Sequence, residues 1–383
     1  MRAAGRRLNL GPVSVLGWIL AALALGAAAS AVYALRFQRW YHRETTGDAY
    51  FRRPSAEREA FRHELARRSR IMMSLVSFAT RVVPPRRLFG TRFRGVGGPP
   101  QCRGGFARAA AYRPTAGDVF VATQMKCGTT WMQQVVYEVL SRGRGDLSDA
   151  GHRHLYALSP WIEANFSVRL DDAPRVGDGK QRVIKTHLPV SLCPYGEDAR
   201  YVYVTRHPVA CFASCVDFVR MMAGPIAPDA PHLADWFCSD RMWWRSWPEH
   251  VDGWWRWSEA RPNVLFVHYE EMLADLPASV DRVAAFLDVP LEPAERAAVV
   301  EKSGFAYMKR YEERFEMSPP TPFSVWGEGQ FLRSGSRDRD RDVGAAERER
   351  ILAFCRERLR GAAYPAARFY PDLAERAEFV PRT

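Results

Sequence analysis

Residues 117–140, GDVFVATQMKCGTTWMQQVVYEVL, decide the fold of this chain. They read as an apolar strand at 119–123, a short polar turn, and a helix with apolar periodicity from Thr130 onward. Gly128 allows the backbone to approach a ligand closely, and the helix start offers unpaired N–H groups at the positive end of its dipole. Lys126 adds a positive charge. The stretch therefore predicts a site for a phosphate or phosphate-like group, with an ordinary strand-to-helix turn as the alternative.

Downstream of this stretch the chain alternates between predicted strands and helices. The strands are expected at 182–185, 201–205 and 264–268, and the helices at 209–221, 276–287 and 345–359. This alternation predicts an α/β fold, a parallel sheet flanked by helices of the P-loop-like nucleotide-binding kind. The anion-binding turn then lies at the carboxyl edge of the sheet. The turn is not a Walker A loop, because Lys126 precedes Gly128 instead of following it.

An uncharged, apolar segment occupies residues 8–35 and is long enough to cross a bilayer core of ~30 Å. We therefore predict an N-terminal transmembrane helix, with the membrane as its partner. A cleaved signal peptide is the alternative, but the apolar run exceeds the usual length of such a segment. Arginines are more numerous on the C-terminal side, which favours a cytoplasmic catalytic domain, and a Golgi-lumenal type II arrangement is the alternative.

Positive charge is concentrated before the predicted folded domain. Residues 36–113 hold eighteen arginines, no lysine and five acidic residues, and the remainder of the chain beyond them is net negative. Such a segment suits either anionic lipid headgroups or a solvated linker. We predict a membrane anchor at 1–40, a basic stem or linker at 41–111, and a folded domain at 112–375. This charge distribution argues against nucleic acid as a partner, and the oligomeric state stays open.

Two further stretches place polar side chains at strand ends. RVIKTHLP, residues 182–189, contains Lys185 and His187. A histidine can take a proton from a hydroxyl, a phenol or an amine, and a lysine can stabilise developing charge. YVYVTRHP, residues 201–208, puts Arg206 after a strand, with Ser214 in the next helix, so that both can hold one phosphate. Packed, purely structural side chains are the alternative. The spacing of cysteines and histidines predicts no metal site.

Together these stretches resemble the sulfotransferase family that uses 3′-phosphoadenosine 5′-phosphosulfate (PAPS). TQMKCGTTW, residues 123–131, is similar to the family's T-Y-P-K-S/T-G-T-T-W loop, with Gln124 and Met125 in place of Tyr-Pro and Cys127 in place of the hydroxyl residue. KTHLP resembles the family's K-[TS]-H-[LF]-P segment, and Arg206 with Ser214 resembles its 3′-phosphate motif.

Four later segments extend the resemblance, which covers about residues 112–360. WPEHVDGWW at 247–255 is similar to W-x-x-H-V-x-x-W-W, whose tryptophans we interpret as core. Tyr269 falls in a segment similar to the family's Y-E-D strand end, and residues 303–309 resemble T-S-F-x-x-M-K. FLRSG at 331–335 resembles R-K-G-x-x-G-D-W, with Ser334 in place of Lys and without the G-D-W.

The resemblance implies a PAPS-dependent sulfotransferase that needs no metal. His187 is then the general base, Lys126 and Lys185 are catalytic, and Trp131 and Phe305 enclose the purine. The residues implied to bind PAPS are Lys126, Cys127, Gly128, Thr129, Thr130, Trp131, Arg206, Ser214, Tyr269, Ser303, Phe305, Arg333, Ser334 and Gly335.

The acceptor is less defined by the sequence. We expect residues 221–247 to supply a lid over it, and the aromatic side chains Trp236, Phe237, Trp243 and Trp244 suggest a small apolar or aromatic acceptor. A glycan acceptor stays open. Two alternative functions also remain: a nucleotide-dependent kinase, which would require the Walker A lysine, and a non-catalytic membrane-associated protein that retains the fold, which the altered Gln124 and Met125 favour.

Overall fold

The computed structural model describes residues 12–327 and 343–374 and divides into two compact units, with the boundary between Thr45 and Thr46. The first unit contains helix α1 (Pro12–Thr45). The candidate span Leu16–Thr45 is long enough to cross a membrane, and none of its most apolar 18-residue window is buried, although a signal sequence meets the same criteria. Pro208–Ile226 is also long and apolar enough to cross a membrane. Half of its apolar window is buried within the second unit, as expected for a core helix of a soluble fold. Residues 8–11 of the predicted span lie outside the described residues.

The second unit contains six strands in the described residues. They are β1 (Thr91–Phe93), β2 (Val96–Gly98), β3 (Asp118–Thr123), β4 (Arg182–Thr186), β5 (Arg200–Thr205) and β6 (Val264–His268). The first two form an antiparallel pair, and the other four form a parallel sheet with the order β4-β3-β5-β6. This confirms the predicted parallel sheet.

The helices of the second unit are mostly short. They are α2 (Gly47–Tyr50), α3 (Ser55–Val82), α4 (Gly105–Ala111), α5 (Thr129–Leu140), α6 (Leu155–Leu158), α7 (Pro208–Ala223), α8 (Ala230–Phe237), α9 (Trp247–Ala260), α10 (Tyr269–Ala274), α11 (Leu276–Phe286), α12 (Pro293–Ser303), α13 (Phe305–Arg310), α14 (Ala345–Arg358) and α15 (Ala366–Phe369). The strands and helices predicted from the sequence lie within two residues of these bounds.

The sheet is packed on both faces because side chains alternate along each strand. Phe120, Tyr201 and Tyr203 belong to one core cluster together with side chains from α7, α8, α9 and α14. Helices α5, α11 and α12 pack against one another, and α5 also contacts β3 and β4. The register pairs Thr123 with Val204 and Thr205 with His268. The carboxyl ends of the strands therefore lie along one edge, and the residues that follow them meet there.

The segment predicted as a stem, 41–111, differs from a free linker. From Thr46 onward it belongs to the second compact unit. Helix α3 buries one face that carries Phe61 and Leu65, and it is tied down by an Arg62–Glu316 ion pair and by a 3.1 Å hydrogen bond from Trp326 Nε1 to Ser69 Oγ. The functional division into anchor, stem and catalytic domain stays a prediction.

Candidate active site

The turn predicted to bind an anion is the loop between β3 and α5. Lys126 and Gly128 adopt left-handed backbone conformations, with φ of 66° and 103°. Backbone turns that include left-handed residues form concave N–H surfaces that bind anions, and the dipole of α5 points its positive end at the same place. The first turn of α5 carries no acidic residue. The loop therefore has the conformation and the polarity of an anion site.

Gly128 also brings the loop against the residue that follows β6, two strands away from β3 in the sheet. A Cβ atom placed on Gly128 would lie 2.6 Å from Cδ2 of Tyr269, the first residue of α10 after β6. That separation is far shorter than a van der Waals contact. Only glycine allows the loop backbone and the Tyr269 ring to approach each other in this way.

Replacing Gly128 by Ala is expected to lower the melting temperature more than replacing Gly104 by Ala. Both residues have positive φ, which costs roughly 1–2 kcal/mol for an L-residue, but no atom lies within 4 Å of a Cβ added at Gly104. The difference between the two variants therefore measures the steric conflict with Tyr269. Equal shifts in thermal denaturation would show that Tyr269 moves aside at no cost.

His187 follows β4 and is buried beside the loop. Its Nδ1 lies 2.9 Å from the carbonyl oxygen of Thr123. Because a carbonyl oxygen only accepts, Nδ1 carries the proton and donates it, which leaves a lone pair on Nε2. None of the described residues hydrogen-bonds to Nε2. Burial and the nearby Lys185 hold the pKa of His187 well below its ordinary value, so the imidazole is neutral.

A second buried histidine fixes the backbone at this position. His250 Nε2 lies 3.0 Å from the carbonyl oxygen of His187 and donates to it. The hydroxyl of Tyr203 lies 2.9 Å from His250 Nδ1 and donates in turn. Burial lowers the pKa of His250 to about 4, so it is neutral too. His250 is therefore a positioning residue for His187.

Lys185 points into a buried aromatic and polar environment. Its Nζ donates to the Tyr156 hydroxyl at 3.1 Å and lies 3.9 Å from the centroid of the Trp161 ring. Burial lowers the pKa of Lys185 to about 7, and the nearby Glu163 carboxylate acts in the opposite direction. Glu163 accepts from the backbone N–H of His187 at 2.7 Å. Glu163 also accepts from the Thr186 hydroxyl at 3.1 Å, so it positions the backbone at His187.

Aromatic rings close over His187. The ring of Trp161 meets the imidazole edge to face with centroids 5.2 Å apart, and the ring of Trp244 lies 4.7 Å away. Gln124, which stands where the family's loop has Tyr, donates through Nε2 to the carbonyl oxygens of Trp243 and Arg245 at 2.9 and 3.0 Å. The altered loop residue therefore holds the turn that carries Trp244.

Only part of the predicted lid, 221–247, lies at His187. Trp244 contacts the imidazole, and Trp243 lies beside it with its ring centroid 6.1 Å from that of Trp244. Trp236 and Phe237 lie on α8 in the same hydrophobic core cluster as Trp244, but neither has a ring contact with His187 in the described residues. The sequence could not separate these roles because all four are aromatic residues in one short segment.

A second cationic position lies next to Tyr269. The guanidinium of Arg206, which follows β5, lies 4.4 Å from the centroid of the Tyr269 ring. Arg206 is buried, and its Nε has no hydrogen-bond partner among the described residues. A cleft of about 390 Å³ opens beside these two side chains. Ser214 is buried within α7, the helix that follows Arg206.

Trp131 connects this region to α12. Its Nε1 donates to the carbonyl oxygen of Ser303 at 2.8 Å, and its ring meets that of Tyr269 with centroids 5.3 Å apart. Phe305 is 41% exposed at the start of α13. No ring contact joins Trp131 to Phe305 in the described parts of the chain, so the purine-enclosing pair stays a prediction. Arg333, Ser334 and Gly335 lie outside the described residues.

The other residues of the loop are packed. Thr129 and Thr123 share a 2.6 Å hydroxyl hydrogen bond, and Thr130 lies 3.2 Å from the Tyr156 hydroxyl. Cys127 is fully buried, and burial raises the pKa of its thiol, so it packs within the loop as a small apolar side chain. Across residues 12–327 and 343–374, no group of three or more histidine, cysteine, aspartate or glutamate side chains is arranged to hold a metal ion.

Sequence reasoning missed several residues that shape the site. Tyr156, Trp161 and Glu163 come from the segment around α6, which carries no motif. They reach Lys185 and His187 only because Trp161 forms a β-bridge with Lys185. The only sequence signal was a cluster of aromatic residues, which is equally typical of a core.

A parallel sheet with a glycine-containing loop at its carboxyl edge and a buried Lys-x-His pair is the architecture of nucleotide-binding transferases. The family model described as "Sulfotransferase domain" matches residues 116–362, and the chain belongs to that family. It is 30% identical to mouse "Sulfotransferase 2B1" over 250 residues, which are 64% of this chain and 72% of that protein. It is 31% identical to the "3-alpha-hydroxysteroid sulfotransferase" of Cavia porcellus over 199 residues, 51% of this chain and 67% of that one.

The solved structures agree on the fold. Retinol dehydratase in a complex with retinol and PAP superposes with a TM-score of 0.56 at 19% identity, over 70% of this chain and 88% of the other. At that identity the likeness establishes the fold alone. The P-loop-like architecture predicted from the sequence is thereby confirmed.

Proposed function

We propose that this protein transfers a sulfuryl group from PAPS to a hydroxyl or amine of a small apolar or aromatic acceptor, with His187 as the general base. The observation that carries the proposal is the buried, neutral imidazole whose Nδ1 is committed to the Thr123 carbonyl. Its Nε2 is thereby prepared to accept a proton next to Lys185 and the anion-binding loop. Membership of the sulfotransferase family and neighbours complexed with PAP support the choice of donor.

The polar groups at this edge of the sheet fit such a nucleotide. The loop with Lys126 and Gly128 suits the 5′ phosphosulfate, and the buried Arg206 Nε without a partner suits a second phosphate. The rings of Trp131 and Tyr269 contact each other edge to face, and Tyr269 also lies under the Arg206 guanidinium, so the pair supplies aromatic surface that suits a purine. Bound PAPS would supply the sulfuryl group and a bisphosphate leaving group.

The protein's own side chains then handle protons and charge. His187 Nε2 takes the proton from the acceptor hydroxyl, while the carbonyl of Thr123 keeps the imidazole in the required tautomer. Protonated Lys185 and Lys126 stabilise the negative charge that develops around the transferred group. Trp161 and Trp244 exclude water, which would otherwise compete as an acceptor.

Near neutral pH, kcat/KM is expected to fall on the alkaline side and to stay constant on the acidic side. The pKa of Lys185 is lowered to about 7, so its charge is present below that pH and is lost as the pH rises through it. The pKa of His187 lies well below its ordinary value of 6.5, so acidification through 6.5 leaves the base neutral. We therefore expect kcat/KM to fall above about pH 7 and to hold its value down through pH 6.5.

The variant Lys185→Arg provides the control for this profile, because a guanidinium keeps its charge throughout this range. The fall above pH 7 should disappear in it, whatever its absolute rate. Since bound anions raise the pKa of a nearby lysine, the fall in kcat should also lie at higher pH than the fall in kcat/KM. An alkaline limb that persists unchanged in Lys185→Arg would assign the titration to another group.

The chemistry of the wall around His187 supports an apolar acceptor over a glycan. Trp161 and Trp244 present ring surfaces, and the relatives include a protein named for a hydroxysteroid substrate. A screen of small phenols, hydroxysteroids and monosaccharides with radiolabelled PAPS tests this preference. Sulfation of monosaccharides alone would overturn it.

We propose that helix α1 anchors the enzyme in a membrane. The support for this proposal is the candidate span Leu16–Thr45, whose most apolar 18-residue window is not buried by protein. A cytoplasmic catalytic unit is favoured by the arginines after the span, with a Golgi-lumenal arrangement as the alternative. Protease treatment of sealed membrane vesicles distinguishes the two, because only an outward-facing unit is digested without detergent.

The decisive experiment is a calorimetric titration of the full-length protein with adenosine 3′,5′-bisphosphate (PAP) and, separately, with ATP. Tight binding of PAP with weak binding of ATP supports the sulfotransferase. Preference for ATP would support the kinase, which also requires the missing Walker A lysine. Absence of binding to both would support the non-catalytic protein that retains the fold.

A further inference from the structure

Helix α3 has two different apolar faces. The first is buried against the rest of the unit and carries Phe61, Leu65 and Met73. The second, which we call the α3 stripe, consists of Ile71, Leu75, Phe78 and Val82. Their spacing of four, three and four residues places them in one line along the helix, because an α-helix completes a turn in 3.6 residues. The stripe lies about a third of a turn away from the buried face.

The α3 stripe is open to solvent. Ile71, Leu75, Phe78 and Val82 are 76, 66, 69 and 68% exposed, and Val83 and Phe89 beyond the helix are similarly exposed. Isolated apolar residues are common on protein surfaces, but a contiguous line of large ones marks an interaction site. The helix does not need the stripe for its own packing, because Phe61, Leu65 and Met73 provide that on the other face.

Arginines border the stripe. Arg70 and Arg81 are exposed about a quarter of a turn around the helix from it, and Arg86 and Arg87 are exposed shortly after the helix ends. From residue 65 to residue 117 the sequence holds eleven arginines and no acidic residue. An apolar stripe bordered by arginines is the pattern of a helix that lies in the headgroup region of a bilayer.

We propose that the α3 stripe docks the catalytic unit onto an anionic lipid surface, independently of any span made by α1. The stripe enters the boundary between headgroups and acyl chains, and the arginines contact anionic headgroups. A second copy of this chain is a poorer partner, because pairing two stripes would bring the same arginines together. The inference goes beyond sulfuryl transfer and does not depend on it.

The test uses the full-length protein in nanodiscs, with Phe78→Cys labelled by an environment-sensitive fluorophore. Six of the seven native cysteines are buried and Cys238 is partly buried, so labelled wild type measures the background. The matched control is Glu59→Cys, an exposed position on the same helix outside the stripe. Acyl-chain spin-labelled lipids should quench the probe at 78 and not the probe at 59, and phosphatidylserine should increase the quenching relative to phosphatidylcholine alone.

A companion variant, Arg70→Gln with Arg81→Gln, should lose the increase caused by phosphatidylserine and keep the quenching in neutral lipid. Equal, weak quenching at 78 and 59 would overturn the proposal. Shielding of the probe at 78 in detergent, growing with protein concentration, would overturn it in favour of a second copy as the occupant. Neither result bears on PAP binding. Failure of membrane docking by α3 would therefore leave the proposed sulfotransferase activity untouched.

Discussion

Replacing His187 by Ala is expected to lower turnover by about 10²–10⁴-fold, the usual contribution of a general base. The imidazole is held neutral by burial and by Lys185, and its Nδ1 proton is committed to the Thr123 carbonyl. Removing it leaves the acceptor hydroxyl without a base, while the loop and Arg206 stay in place. Sulfation with the best phenol or hydroxysteroid acceptor measures the loss, and calorimetry should give a PAP affinity close to wild type.

The control for this variant is His63→Ala, which removes an exposed histidine on α3. It should leave both turnover and PAP affinity unchanged. The variant His187→Gln adds a second check, since it keeps a polar side chain but supplies no base. If His187→Ala retained wild-type turnover, the proposed base would be wrong even if PAP binds, and another group would have to take the proton.

Replacing Arg206 by Ala should weaken the binding of PAP by roughly 10- to 100-fold, because a hydrogen bond to a charged group contributes about 1.5–3 kcal/mol. The buried guanidinium sits over Tyr269 with its Nε lacking a partner in the described residues, as expected for a side chain that awaits an anion. Adenosine 5′-monophosphate has no 3′-phosphate. Its affinity should therefore change much less, and the ratio of the two affinities isolates the contact.

The matched control is Arg261→Ala, whose guanidinium also lies over aromatic rings, those of Tyr195 and Trp257. The Arg261→Ala variant loses the same kind of cation–π contact, but at a position outside the proposed donor site. Both nucleotides should bind it normally. An equal loss of PAP and adenosine 5′-monophosphate affinity in Arg206→Ala would show that this arginine supports the structure and does not hold the 3′-phosphate.

The local structure of the candidate site was predictable from the sequence because each element depends on neighbours in the chain. Strand β3, the turn with Gly128 and helix α5 follow from apolar periodicity and from the backbone freedom of glycine. The positions of Lys185, His187 and Arg206 were predictable because each comes at the end of an apolar strand. The parallel register then brings those ends to one edge of the sheet.

Other features depend on contacts between residues far apart in the chain. Glu163 reaches the His187 backbone across 24 residues, and Gln124 reaches the Trp243 carbonyl across 119. No periodicity or local motif encodes such pairs, since they arise when separate elements pack together. The same holds for residues 46–111. Their many arginines suggested a basic stem or linker, but packing makes this segment part of the second compact unit.

By itself the sequence determined the strand–loop–helix unit, the alternation that builds the sheet and the family, because these depend on local propensity and on short motifs. Tertiary structure alone decided that His187 is neutral and that rings close over it. It also decided which face of α3 remains open. The physical reason is that desolvation and shape are properties of a packed environment, and that environment exists only once distant segments meet.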